Sequence, residues 1–183
     1  MGRRAKRQNL KKLRQGRREA YEAVVLQHYR PIYRFMAYLT RDTGLAEELT
    51  QETFASAWAN IDSFKGRASV GTWLHRIAYR KFIDATRSLQ RDAALMDRLK
   101  EEKDGEHQTS NPLHKLTANE HSRLLYEAMR SLKSSEYIVI LLHYIQGLSF
   151  RQVAKVLDQP VGTVKWQTSK ALKKLKASLT GRV

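Results

Sequence analysis

The chain has 183 residues and a formal net charge of +16, from 34 Lys and Arg against 18 Asp and Glu. Such a basic chain is expected to bind a polyanion, either nucleic acid or an acidic membrane surface. Cysteine is absent, which excludes disulfides and thiolate metal sites. The sequence contains neither a run of about 18 apolar residues nor a signal peptide. We therefore expect a cytoplasmic protein without membrane insertion or cofactor.

The first 18 residues form a basic arm. They hold nine Lys or Arg side chains and no acid. A block of like charge repels itself and tends to remain disordered or loosely helical. Sequence-independent phosphate contacts and simple solubility would each account for this arm.

Two helices are expected next, over residues 19–39, with a bend before Pro31, and from about Thr43 to Ile61. The second helix has an acidic patch that lies off its apolar stripe. Carboxylates repel phosphates, so this patch should face a partner other than DNA, unless it only keeps the helix soluble. The predicted buried stripe is Leu45, Ala46, Leu49, Phe54, Ala57, Trp58 and Ile61; the acidic patch is Glu47, Glu48, Gln51 and Glu52.

A short loop over residues 62–69, DSFKGRAS, precedes a long helix with cations interleaved among aromatic residues. This composition suits single-stranded nucleic acid, whose bases stack on rings while its backbone follows the charges. Alternatively, the aromatic residues belong to the hydrophobic core, which is the role we favour for Trp73. The cations concerned are Arg76, Arg80, Lys81, Arg87 and Arg91.

Residues 92–117 are predicted to be a flexible linker, acidic at first and then rich in turn formers. His107, His114 and His121 are spaced by seven residues, but Pro112 interrupts any helix that would align them. No metal site is therefore predicted. The linker separates an N-terminal helical domain, residues 19–91, from a C-terminal one, residues 118–183.

The C-terminal domain contains a predicted helix-turn-helix. Ser149 and Gln152 have the spacing of a capping box, and Pro160 favours a new helix from about Val161. One face of that second helix is apolar, and the other is polar and basic, as expected of a helix that enters the DNA major groove. A solvated lysine-rich face is the plainer alternative. The candidate reading face is Gly162, Lys165, Trp166, Ser169, Lys170 and Lys173.

The predicted fold class is therefore all-α: two small helical domains joined by a flexible acidic linker, the C-terminal one containing a helix-turn-helix. The chain resembles the extracytoplasmic-function (ECF) sigma factors of the sigma-70 family, which give bacterial RNA polymerase its promoter choice. The matching stretches are AEELTQETFASAWANIDSFKGRASVGTWLHRIA (46–78), followed by IDATR, and LLHYIQGLSFRQVAKVLDQPVGTVKWQTSKALKKL (141–175).

The resemblance implies three interfaces and no catalysis. Glu48, Leu49, Gln51 and Glu52 would bind the clamp helices of the polymerase β′ subunit, with the β flap as a second contact. The minus-ten element would be bound as single-stranded DNA with an extruded base, and the minus-thirty-five element as duplex by the reading face. An anti-sigma protein is a further partner that the resemblance implies. The implied minus-ten residues are Lys65, Arg67, Ser69, Arg76 and Arg80.

Three positions depart from the family pattern. Arg80 stands where many members have Asn, and Trp166 with Gln167 replaces a frequent Ser-Arg pair, so the promoter sequence does not follow from the resemblance. Two other classes of function are alternatives. A stand-alone helix-turn-helix regulator would not need the acidic patch, and a nuclease would need clustered carboxylates for Mg²⁺.

Overall fold

The computed structural model describes residues 13, 15, 17–99, 128–129 and 131–180. These residues are helical without a strand among them, which confirms the all-α prediction. The chain divides into two compact units, Met1–Phe64 with Ile77–Asn111 and Lys65–Arg76 with Pro112–Val183. Most of the basic arm, the linker from residue 100 and the three spaced histidines lie outside the described residues, and the predicted domain limits stay a prediction.

The first unit is built on two helices, α1 (Arg18–Thr40) and α2 (Thr43–Ala59). Arg41 ends α1 with a φ of 58°, and the Asp42 side chain accepts a hydrogen bond from the Leu45 amide at 2.9 Å, capping α2. The two helices pack against each other. Their core includes Ile32, Phe35 and Met36, all fully buried.

One side chain of this unit differs from the sequence expectation, whereas the bend before Pro31 stays a prediction. Helix α1 continues through Pro31, because burial of the apolar residues that follow outweighs the one hydrogen bond that proline cannot donate. Trp58 was predicted on the buried stripe of α2 but is 39% exposed, and its ring stacks at a tilt on Tyr21 with 4.7 Å between centroids. Helix α2 ends at Ala59, and a 3-10 turn follows over Ile61–Ser63.

Helix α3 (Val70–Leu99) begins at Ser69, whose hydroxyl accepts a hydrogen bond from the Thr72 amide at 3.1 Å. Leu74 and Ala78 supply its buried face. The helix includes residues 92–99, which the sequence had assigned to the linker. No described helix is long and apolar enough to cross a membrane.

The second unit contains α4 (Ser134–Ile140), a π-helical turn (Leu141–Ile145), α5 (Phe150–Leu157) and α6 (Val161–Thr180). Gly147 has a φ of 69°, a left-handed conformation that favours glycine, and it turns the chain from the π-helical turn into α5. The apolar faces of these elements pack together. Their most deeply buried side chains are Val139, Leu141, Leu142, Val153, Val164 and Ala171.

Candidate nucleic-acid interface

The predicted helix-turn-helix is confirmed. Ser149 caps α5 through reciprocal hydrogen bonds with Gln152, at 2.8 Å to the side-chain oxygen and 3.4 Å from the backbone amide. Asp158 ends α5 with a φ of 56°, and the Pro160 carbonyl accepts a hydrogen bond from the Val164 amide as α6 begins. The turn therefore depends on a left-handed residue that ends α5 and on a proline at the start of α6.

All six residues of the predicted reading face are exposed on α6. Trp166 is 62% exposed. The opposite face is buried through Val164, Thr168 and Ala171. Leu172, which the 3.6-residue period places on the apolar face of α6 with Val164 and Ala171, is 41% exposed. Gln167 is buried, so of the two residues that replace the family's Ser-Arg pair only Trp166 lies on the reading face.

Lys170 and Trp166 form a pair within this face. The Lys170 ammonium lies over the Trp166 ring, 4.9 Å from its centroid. A cation over an indole face is attracted by the ring quadrupole. Trp166 therefore holds the Lys170 side chain in place on the exposed side of α6, one helical turn away.

Glu136 anchors α6 to α4. This carboxylate is 3% exposed, and it accepts hydrogen bonds from the Lys174 ammonium at 2.7 Å and from the Lys133 amide at 3.1 Å. The hydrogen bond from Lys174 holds the pKa of Glu136 below its ordinary value. Lys174 thus pairs within the protein and does not belong to the reading face. Sequence analysis missed the pair, because 38 residues separate its members.

Replacing Glu136 with glutamine should lower the free energy of unfolding by about 1–2 kcal/mol at pH 7, because it weakens a charge-assisted hydrogen bond whose lysine is partly exposed. Since the folded pKa of Glu136 is lowered, its stabilisation is present above the ordinary value of 4.5 and is lost as pH falls through the folded pKa. Urea unfolding of both proteins from pH 7 to pH 3 should show the difference shrinking below pH 4.5. A constant difference would contradict this account.

The acidic patch lies on the outer side of α2. Glu48, Gln51 and Glu52 are exposed, and the Glu52 carboxylate pairs with Lys81 of α3 at 3.0 Å. Leu49 is 3% exposed and belongs to the core. Any contribution of Leu49 to a partner interface is therefore made by holding α2 in position.

The predicted minus-ten residues lie in the loop before α3 and on its first turns. Lys65, Arg67, Ser69 and Arg80 are exposed, whereas Arg76 is half-buried. The Arg76 guanidinium pairs with Asp158 at 3.1 Å, and the Arg67 carbonyl accepts a hydrogen bond from Lys155 at 2.7 Å. The Ser69 hydroxyl is 2.8 Å from the Thr72 hydroxyl. Arg80 follows Arg76 by one turn of α3.

His75 is a buried residue that sequence analysis did not single out. It is 4% exposed, with Nδ1 2.8 Å from the Gly71 carbonyl and Nε2 3.5 Å from Gln146 Oε1. Burial lowers the pKa of this imidazole, which is therefore neutral at pH 7. His75 joins the start of α3 to the residue that follows the π-helical turn.

Comparison with known proteins gives two family matches. The Sigma-70 region 2 model matches residues 24–92, and the Sigma-70, region 4 model matches residues 122–175, together more than half of the chain. RNA polymerase sigma factor YlaC of Bacillus subtilis is 28% identical over 165 residues, 89% of this chain and 94% of the relative. ECF RNA polymerase sigma factor SigW of the same species is 29% identical over 177 residues, 93% of this chain and 94% of the relative.

Two solved structures have the same fold. The sigma factor RpoE in complex with the anti-sigma factor NepR, from Bartonella quintana, has a TM-score of 0.69 and 23% identity, covering 87% of this chain and 96% of that one. CnrH in complex with the cytosolic domain of CnrY has a TM-score of 0.69 and 21% identity, covering 97% and 98%. With sigma-70 regions 2 and 4 in order along its sequence, and ECF sigma factors among relatives that match most of its length, the chain belongs to the sigma-70 family as an ECF sigma factor.

Proposed function

We propose that this chain binds bacterial core RNA polymerase and directs promoter-specific transcription initiation through minus-ten and minus-thirty-five recognition. The observation that carries the proposal is α6: every position of its predicted reading face is exposed, and the helix has no acidic residue. The family membership supplies the polymerase as partner. The chemistry of RNA synthesis then belongs to the polymerase, and this chain contributes recognition.

The reading face of α6 would bind the minus-thirty-five element as duplex. An α-helix fits the major groove, where lysine reaches base acceptors or phosphates and an apolar ring meets a thymine methyl. Lys165, Lys170 and Lys173 supply the cations, and Trp166 supplies the ring. At Gly162 a side chain would meet nothing within 4 Å, so this position leaves open space for the DNA backbone near the start of α6.

The loop before α3 and the first turns of that helix would bind the minus-ten element as a single strand. Extrusion of a base costs unstacking energy, which contacts to the base and to the neighbouring phosphates offset. Lys65, Arg67, Arg76 and Arg80 would supply phosphate contacts, and Ser69 a hydrogen-bonding group. Arg80, in place of the family's frequent Asn, brings a full positive charge to this site.

The acidic patch would face the polymerase. In a protein of net charge +16, an exposed carboxylate cluster opposes DNA binding and favours a basic protein surface. We assign Glu48, Gln51 and Glu52 to the β′ clamp helices, with Leu49 supporting the helix from below. The β flap is the second polymerase contact, and an anti-sigma protein would compete for these surfaces. Through the polymerase, the chain would be cytoplasmic and associated with the nucleoid.

Run-off transcription on a genomic fragment library, with core polymerase in the presence and absence of this protein, tests the proposal. We expect new transcript starts that share a pair of upstream elements. A protein that neither binds core polymerase nor creates starts would contradict the proposal. Such a result would favour a stand-alone helix-turn-helix regulator, which has no use for polymerase docking.

A further inference from the structure

Trp58 is a large apolar side chain at the surface of α2. It is 39% exposed, although the apolar periodicity of α2 predicts that it is buried. A single exposed apolar residue is common on protein surfaces and is not by itself a binding site. The residues that share its face of the helix decide what Trp58 can do.

Trp58 lies on the same face of α2 as the acidic patch. At 100° per residue, it is about 20° from Gln51 around the helix axis and about two turns further along it. The buried residues of α2 occupy the rest of the circumference. Around the axis, the exposed residues of this face follow one another in the order Glu47, Trp58, Gln51, Ala55, Glu48, Ala59 and Glu52.

Tyr21 of α1 holds the Trp58 ring in place. The two rings are tilted at 49°, with 4.7 Å between their centroids. The Tyr21 hydroxyl donates a hydrogen bond to the Phe54 carbonyl of α2, and burial raises the pKa of this hydroxyl to about 12, so it remains a donor at pH 7. A side chain that is already fixed loses less conformational entropy when a partner covers it. Trp58 is therefore a preorganised contact.

We propose that Trp58 is the apolar anchor of the surface through which α2 docks on core RNA polymerase. This role rests on the proposed function, and it adds the side chain that supplies the main apolar contact. Tryptophan is enriched among the interface residues whose truncation costs most binding energy, and such residues are typically surrounded by others that exclude water. On α2 the acidic patch provides those surroundings.

This face of α2 also defines the chemistry of the matching surface on the β′ clamp helices. Cations opposite Glu48 and Glu52 would complement the two carboxylates, and an apolar hollow beside those cations would receive the indole. Ala55 and Ala59 have small side chains, so a partner helix can approach the backbone of α2 closely at these positions. Charge alone would attract any basic surface, whereas the ring adds a requirement of shape that favours one partner.

Truncation of Trp58 in the full-length chain tests this role. Trp58→Ala should weaken binding to core polymerase at least about tenfold, and Trp58→Phe, which keeps an aromatic ring, should recover most of the loss. Leu26→Ala is the control. Leu26 is 84% exposed on α1, about 140° around the helix axis from Tyr21, and its truncation should leave the affinity unchanged. Urea unfolding of each variant would report its free energy of unfolding.

Photo-crosslinking gives a second measurement that does not require the alanine variant to fold. With p-benzoylphenylalanine in place of Trp58, the holoenzyme should form a crosslink to the β′ subunit, and with the same group in place of Leu26 it should not. The absence of a crosslink from position 58, or equal crosslinks from both positions, would overturn the proposal.

The affinities separate failure of the anchor from failure of the proposed function. If the parent chain binds core polymerase and a folded Trp58→Ala variant binds within about threefold of it, the anchor is wrong and the proposed function stands. Affinity losses in both Trp58 variants that match their losses in free energy of unfolding would assign Trp58 a structural role and would also overturn the proposal. If the parent chain does not bind core polymerase, the proposed function fails and the anchor fails with it.

Discussion

Replacing Glu48 with lysine is expected to weaken binding to core RNA polymerase by about 30-fold or more, equivalent to about 2 kcal/mol, because a cation would then replace a carboxylate against the basic partner surface that we propose for it. The change should leave α2 folded. Glu48 is exposed, lysine is a good helix former, and the core contacts of α2 are made by other side chains, among them Leu49 and Ala57.

Glu48 is a cleaner choice than Glu52, whose carboxylate also pairs with Lys81 of α3 at 3.0 Å. A reversal at Glu52 would therefore change a contact within the fold together with the docking surface. Glu19→Lys is the matched control, with the same charge change at an exposed position of α1, outside the acidic patch. We expect it to change the affinity less than threefold.

Fluorescence anisotropy with labelled full-length protein and core polymerase would give both affinities, and circular dichroism would confirm equal helix content. Unchanged affinity of the Glu48 variant would remove the proposed docking surface. Equal losses in the Glu19 and Glu48 variants would mean that net charge, rather than a defined face of α2, determines polymerase binding. Comparison of these affinities with run-off transcription separates the two defects, because loss of DNA recognition lowers the transcript without lowering the affinity for core polymerase.

The helix-turn-helix could be predicted in detail because its signals are local. Ser149 and Gln152 form the capping box within three residues, and Pro160 adjoins the helix start it indicates. The exposed reading face followed from the 3.6-residue period of α6. Apolar periodicity predicts the extent of burial less well. Trp58 and Leu172 lie on apolar stripes but at their exposed margins.

Long-range polar contacts were not predictable. Glu136 and Lys174, and Arg76 and Asp158, are far apart in sequence, and nothing in the spacing of charges selects these partners among 34 cations and 18 acids. The continuation of α1 through Pro31 also required tertiary information. Proline removes one backbone hydrogen bond, and only the packing of Ile32, Phe35 and Met36 shows that the helix tolerates this loss.

Replacing Lys170 with alanine is expected to weaken binding of the minus-thirty-five duplex by about 1–3 kcal/mol if its ammonium contacts a base. The side chain is exposed and alanine is the best helix former, so the free energy of unfolding should hardly change. If Lys170 instead contacts a phosphate, affinity should fall for every sequence and the slope of log K against log salt should decrease by about 0.9.

A substitution at Trp166 tests whether its ring holds the Lys170 side chain in position for DNA binding. Because the Lys170 ammonium lies 4.9 Å from the centre of the Trp166 ring, Trp166→Ala should free the lysine and reduce its contribution to binding. A double-mutant cycle on the holoenzyme, with promoter DNA mapped by run-off transcription, should give a coupling energy of about 0.5–1 kcal/mol. Lys173→Ala paired with Trp166→Ala is the control cycle and should show additivity.

Equal affinity of the Lys170 variant and the parent at every salt concentration would show that this lysine is only solvated, and the reading face would then have to be assigned to its remaining members.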